Sequence, residues 1–134
     1  MPETFMLDTD ICSYIIRARP LKLKTDFLKH KDDTICISVV TLAELLYGLE
    51  KKPSEKLARD LNDFVTLVRV MDWNNAAAAK YAKIRHNLTS TGKIISALDM
   101  QIAAAAISLN AILVTNNKKH FSVVPDLILA DWLP

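Results

Sequence analysis

Three carboxylates in this chain stand where carboxylates are unusual. Asp8 closes the apolar run Thr4–Leu7. Glu44 sits inside Thr41-Leu42-Ala43-Glu44-Leu45-Leu46, with apolar neighbours on both sides, a costly place for a charge unless something pairs with it. Asp99 opens the most apolar stretch of the sequence, Leu98 to Leu109. A fourth polar group, Thr115-Asn116-Asn117, directly follows the apolar run Ile112–Val114. Each acid alone has a plain structural explanation: Asp8 or Asp99 as a helix N-cap, Glu44 as an ion-pair partner or a side chain bent outward to water. Together they would repel, and a cation is the direct way to stabilise them. An all-oxygen donor set, without a His or Cys cluster, points to Mg²⁺ or Mn²⁺ rather than Zn²⁺.

These residues come together only if the elements around them do. Thr4–Leu7 reads as a buried strand. Asp10 is expected to cap a helix that turns Ile11, Tyr14 and Ile15 inward and ends before Pro20. Pro20 suits the first turn of a second helix, with Leu23, Phe27 and Leu28 on one face and Lys22, Lys24 and Lys29 outside. Thr34–Ile37 is a second strand, and Ser38 or Thr41 starts a helix with the stripe Leu42, Leu45, Leu46 and Leu49. Ser54 starts another, through Leu57, Leu61, Phe64 and Val65, before a strand at Val68–Met71. Asn75 to about Leu88 is helical and is stopped by Gly92; the Leu98–Leu109 helix, a strand at Ile112–Thr115 and a short edge strand at Leu127–Ala130 complete the chain. Alternating strands and helices imply an α/β fold with a central parallel sheet of four or five strands. Asp8, Glu44, Asp99 and Thr115–Asn117 would then share the rim where strands end and helices begin, which is where such sheets bind ligands.

With 134 residues, no linker and no repeat, one domain is expected over 1–134. A net charge of +2 is too small to announce nucleic-acid binding by itself, although acids in a metal site could mask a basic surround. Cys12 and Cys36 lie in apolar runs and are expected as buried, reduced thiols. No signal peptide or membrane span is expected, so the sequence reads as a cytoplasmic protein.

Taken in order, Met6-Leu7-Asp8-Thr9, Ile37-Ser38 through Glu44-Leu45-Leu46-Tyr47-Gly48, Asp99-x-x-Ile102-Ala103-Ala104, Leu113-Val114-Thr115-Asn116-Asn117 with Phe121, and Asp131-Trp132 resemble PIN domains, and more closely the VapC toxins. The resemblance implies a three-layer α/β/α fold and a metal-dependent endoribonuclease, the toxin of a toxin–antitoxin pair. It implies Asp8, Glu44, Asp99 and Asn117 as metal ligands, with Thr115 the accompanying hydroxyl. It further implies a cognate antitoxin, a homodimer and an RNA substrate such as tRNA, cut by a metal-activated water to leave a 5′-phosphate and a 3′-hydroxyl. The helices Pro20–His30 and Ser54–Val68 offer surface for the antitoxin and the second protomer. The sequence departs from the family in having Asn117 where Asp is common, and Lys93-Ile94-Ile95-Ser96-Ala97 without the Pro and Gly many relatives carry.

Substrate grip would fall to Arg17, Arg19, Lys22, Lys24, Lys83, Arg85 and His86 around the rim, each of which also reads as an ordinary solvated side chain. His86 and His120 are expected to be surface residues, and Trp73 and Trp132 core or edge anchors rather than base-stacking platforms. Two other functions fit parts of the sequence. Asp8-Thr9-Asp10 and Val114-Thr115-Asn116 resemble the nucleophile and phosphate-binding motifs of haloacid-dehalogenase-like phosphatases. In that reading Cys12 stands where Thr or Val is usual, the late acidic motif is missing, and Glu44 and Asp99 have no role. A non-catalytic interaction domain of the same fold is the other.

Overall fold

A computed structural model describes residues 2–17, 25, 27–30 and 32–132. Five strands, β1 (Thr4–Leu7), β2 (Thr34–Ser38), β3 (Arg69–Met71), β4 (Ile112–Val114) and β5 (Leu129–Ala130), form one parallel sheet in the order β3-β2-β1-β4-β5. The chain begins in the middle, builds outward through β2 and β3, then crosses to the other side of β1 for β4 and β5. The order therefore reverses between β1 and β4, and a crevice opens beyond their carboxyl ends.

Alternation along the strands builds two cores, one on each face. Phe5, Leu7, Ile35, Ile37 and Val114 face one layer, with Ile11, Cys12 and Ile15 of helix α1 (Thr9–Ile16), Leu42 and Leu45 of α2 (Val39–Lys51), and Phe64 of α3 (Glu55–Leu67). Met6, Cys36 and Leu113 face the other, with α4 (Asn75–Thr91) and α5 (Ala97–Ser108). This is the expected α/β/α arrangement. Both cysteines are buried and free, as expected.

The helix ends obey local rules. Ser38, Ser54, Asn74 and Ser96 cap α2 to α5 with side-chain oxygens. Gly92 ends α4 at φ 72°, a left-handed conformation that glycine adopts without a Cβ penalty. The cap of α1, however, is Asp8 and not Asp10, whose side chain lies in the first turn. With the helix starting earlier, Cys12 turns inward beside Ile11 and Ile15, and Tyr14 is left exposed. Leu28 and Leu46, expected inside, are exposed as well. Of the second expected helix, residues 18–24 and 26 lie outside those described. A four-residue helix, α6 (Lys118–Phe121), was not anticipated, because it is too short to show a period. Trp132 is buried and stacks on His30 at 4.6 Å, and half-buried Trp73 donates its Nε1–H to the Gln101 carbonyl, so both act as anchors. No helix among the described residues is long and apolar enough to cross a membrane.

The element that matters most for the site is α5. Met100 and Ile102 to Ala106 are all buried, so nearly its whole circumference is covered, and α4 makes its most extensive helix contact. The small alanines permit that close approach. Ala104 is fully buried, so Ala104→Leu should overpack the core around α5 and destabilise the fold by roughly 1–3 kcal/mol, seen as a lower urea midpoint at unchanged slope. An unchanged midpoint would mean that the core around α5 has room to spare.

Candidate metal centre at the switch point

Asp8 leaves β1 at the point where the strand order reverses. Its amide donates to the Val114 carbonyl at 3.1 Å, and its Oδ1 accepts the Ile11 amide at 2.9 Å, so the backbone holds it on both sides. The residue is only 5% exposed. Burial pushes its carboxyl up from the usual 3.8 to about 6, and the charges of Asp10 and Asp99 push the same way. The Thr115 hydroxyl and the Ile11 amide, both bonding to the carboxylate, pull it back. Thr115 is itself fully buried and accepts the Asn117 amide at 3.0 Å, so the end of β4 is fastened directly to Asp8.

Asp99 arrives from the first turn of α5, where Ser96 accepts its amide at 3.1 Å and the helix dipole favours a negative charge. Asp8, Thr9, Asp10, Asp99, Asn117 and Phe121 line one cavity of about 70 Å³. Of the expected ligands, the fold thus brings Asp8, Asp99 and Asn117 to a common space. Thr115 stands behind Asp8 and serves it through the hydroxyl. Glu44 does not line this cavity. It is half-buried in α2 and lines an adjoining one of about 130 Å³ with Thr9, Ser13, Arg17, Gly48 and Lys52. Thr9 belongs to both cavities, and its hydroxyl donates to that of Thr41 across the α1–α2 contact at 3.4 Å. Among the described residues, no three His, Cys, Asp or Glu side chains are grouped closely enough to hold an ion. The candidate donor set is therefore two aspartates and an asparagine, with Glu44 alongside. Its chemistry suits a hard divalent cation: every donor is oxygen, and among the described residues no cation offsets the desolvation of the buried Asp8 carboxylate.

The basic residues divide. Arg17 lines the same cavity as Glu44, and so does Lys52, which the sequence did not single out. Lys83 is not at the acidic rim; it lines a separate cavity with Ile107 and Pro125, at the amino ends of β4 and β5. Arg85 is exposed and donates to the Tyr81 hydroxyl at 3.3 Å, and His86 is exposed. Arg19, Lys22 and Lys24 lie outside the described residues. His120, expected at the surface, is bonded at the site. Far from being an idle surface group, its Nε2 lies 2.8 Å from Asp99 Oδ2. Twenty-one residues separate the pair, and nothing in the local sequence signals their contact.

The sequence matches the family described as PIN domain over residues 5–127. It is 40% identical to Ribonuclease VapC2 of Rickettsia felis over 130 residues, spanning 96% of this chain and 97% of the relative. It is 39% identical to the tRNA(fMet)-specific endonuclease VapC of Shigella flexneri, with the same coverage. The fold superposes with a TM-score of 0.92 and 37% identity on a chain in the crystal structure of VapBC2 from Rickettsia felis bound to a DNA fragment from their promoter, covering 97% of this chain and 99% of that one. PIN-domain nucleases depend on divalent metal, in keeping with the oxygen donors at the switch point. The dehalogenase-like alternative, which rested on residues 8–10 and 114–116, has no place beside a match of this extent. With its family match, its full-length relatives and its fold in agreement, the chain belongs to the PIN-domain family, and within it to the VapC ribonucleases.

Proposed function

We propose that this protein is the toxin of a toxin–antitoxin pair, an endoribonuclease working as a single domain in the cytoplasm. The observation that carries the site assignment is the convergence of Asp8, Asp99 and Asn117 on one cavity at the sheet's switch point. These three would hold Mg²⁺ or Mn²⁺. When bound, the cation lowers the pKa of an attacking water and stabilises charge on the scissile phosphate. The chain's own groups do the rest. Thr115 and the α1 backbone keep Asp8 in place. Glu44, from the neighbouring cavity, orients water or substrate across Thr9. Arg17 and Lys52, which line the same cavity, would hold flanking phosphates, contacts that contribute affinity without reading sequence. The tRNA specificity in the name of the Shigella flexneri relative makes tRNA the substrate class to test first. By analogy with the Rickettsia felis VapBC2 complex, the partner is an antitoxin, which would neutralise the acidic cavity with an Arg or Lys; the chain is proposed to act as a homodimer.

Asp99→Asn should lower cleavage of tRNA by at least about 10²-fold with the fold retained, since even groups that only support ligands cost 10–100-fold. Asp10→Asn should stay within about tenfold, and Glu44→Gln should do more harm than that. The comparison is made on purified variants with Mg²⁺ or Mn²⁺, scoring 5′-phosphate and 3′-hydroxyl ends. A fully active, metal-saturated Asp99→Asn protein would remove the site.

A second expectation follows from the raised carboxyl of Asp8. Because its folded value of about 6 exceeds the usual 3.8, its favourable contribution is complete below about pH 4 and is lost as pH rises through about 6. Asp8→Asn keeps the capping oxygen and removes the charge. In EDTA it should be the more stable protein near pH 8, by up to roughly 3 kcal/mol, with the gap closing towards pH 4. A variant less stable than wild type near pH 8 would show that capping outweighs repulsion.

A third concerns the partner. Expression of the chain alone should arrest growth, and co-expression of an antitoxin encoded beside it should relieve the arrest. Harmless expression of the intact chain at high level would count against the toxin assignment.

A further inference from the structure

His120 is tied to both sides of the acidic cavity. Its backbone amide donates to the Asn117 carbonyl at 3.1 Å, and the neighbouring Phe121 amide donates to the same oxygen at 3.2 Å. The α6 turn is thereby anchored on one candidate ligand while its imidazole reaches the other, Asp99. Phe121 is buried in the core, lines the cavity and meets the His120 ring edge-on at 5.3 Å, which limits where that ring can go. His120 itself is absent from the cavity wall; it meets Asp99 from outside, through Oδ2 alone. Among the described residues, no other side chain bonds to the Asp99 carboxylate. With 32% and 33% of the two side chains exposed, the pair is poorly suited to stabilising the fold, because solvent screens it. Its geometry is suited to holding a carboxylate still.

We propose that His120 is a positioning residue, which fixes Asp99 by one carboxylate oxygen and so preorganises it, together with Asn117, to receive a divalent cation. The proposal rests on the metal-centre reading above. Carboxylates that bind metal are commonly oriented by a further hydrogen bond, and loss of such a bond weakens metal binding by 10–100-fold. His120 lies outside the cavity, so it is not a catalytic acid or base in this scheme. Its effect passes through Asp99.

The test is calorimetric titration of the purified full chain with Mn²⁺, alongside kcat and KM on tRNA, for wild type, His120→Ala and His120→Gln. The alanine variant should bind Mn²⁺ 10–100-fold more weakly, with kcat restored by raising Mn²⁺ and KM for RNA unmoved. The glutamine variant, whose amide can still donate to the carboxylate, should recover Mn²⁺ affinity to within about tenfold of wild type. Should alanine at this position prevent folding, His120→Phe keeps a ring against Phe121 without a donor and should show the same loss. Unchanged Mn²⁺ affinity in the donor-less variants would overturn the proposal. Tighter binding would also overturn it, because His120 would then be a competitor for Asp99. A rise in KM with Mn²⁺ affinity intact would place His120 on the RNA and reject the positioning role. If wild type itself binds no Mn²⁺, the metal-centre reading fails and this role fails with it; wild-type binding with insensitive variants rejects His120 alone.

Discussion

A carboxylate held out of water beside other carboxylates is the constraint around which this molecule is arranged. Asp8 ends the central strand, caps the first helix and receives the Thr115 hydroxyl from the neighbouring strand end, yet its carboxyl is still pushed to about 6. Those hydrogen bonds do not fully offset desolvation and the repulsion of Asp10 and Asp99. A protein gains no stability from such an arrangement. Strain of this kind, at a cleft lined by convergent polar groups, marks a site where charge is kept for use.

Everything that converges on Asp8 is placed by rigid structure. The strand order reverses at β1 and β4, which opens a crevice and brings Asp8 and Asn117 to its edge. Asp99 is delivered by α5, a helix covered on nearly all sides and therefore unable to shift without disturbing the core. The short α6 turn then links Asn117 to Asp99 through His120. A candidate ligand set drawn from three separate elements is thus fastened at each joint by a backbone or side-chain hydrogen bond.

Charge is segregated on a scale the net value of +2 conceals. One cavity is lined by Asp8, Asp10 and Asp99, while Arg17 and Lys52 line its neighbour together with Glu44. Adjacent acidic and basic surfaces are what hydrolysis of a polyanion needs: a place for a cation at the scissile bond, and cations of the protein's own along the flanking phosphates.

The linear sequence by itself determined the layers of the fold and most of the candidate site. The apolar and β-branched runs Thr4–Leu7 and Thr34–Ile37, the helix starts at Ser38 and Ser54, and the stop at Gly92 all act over a few residues, so their consequences can be read locally. Asp8 and Asp99 were legible because each sits at a boundary of a recognisable apolar run, whereas Asn117 was singled out by the family resemblance. Tertiary structure alone decided the rest. Whether Asp8 or Asp10 capped α1 depended on where β1 let go of the chain, and that choice turned Tyr14 out and Cys12 in. Glu44 was placed one cavity away by the packing of α2 against α1, and Lys83 was carried to the amino-end side of the sheet. The contact between His120 and Asp99 had no sequence signal at all. Hydrogen bonds between side chains far apart in the chain depend on the relative placement of whole elements, and no local pattern of residue types encodes that placement.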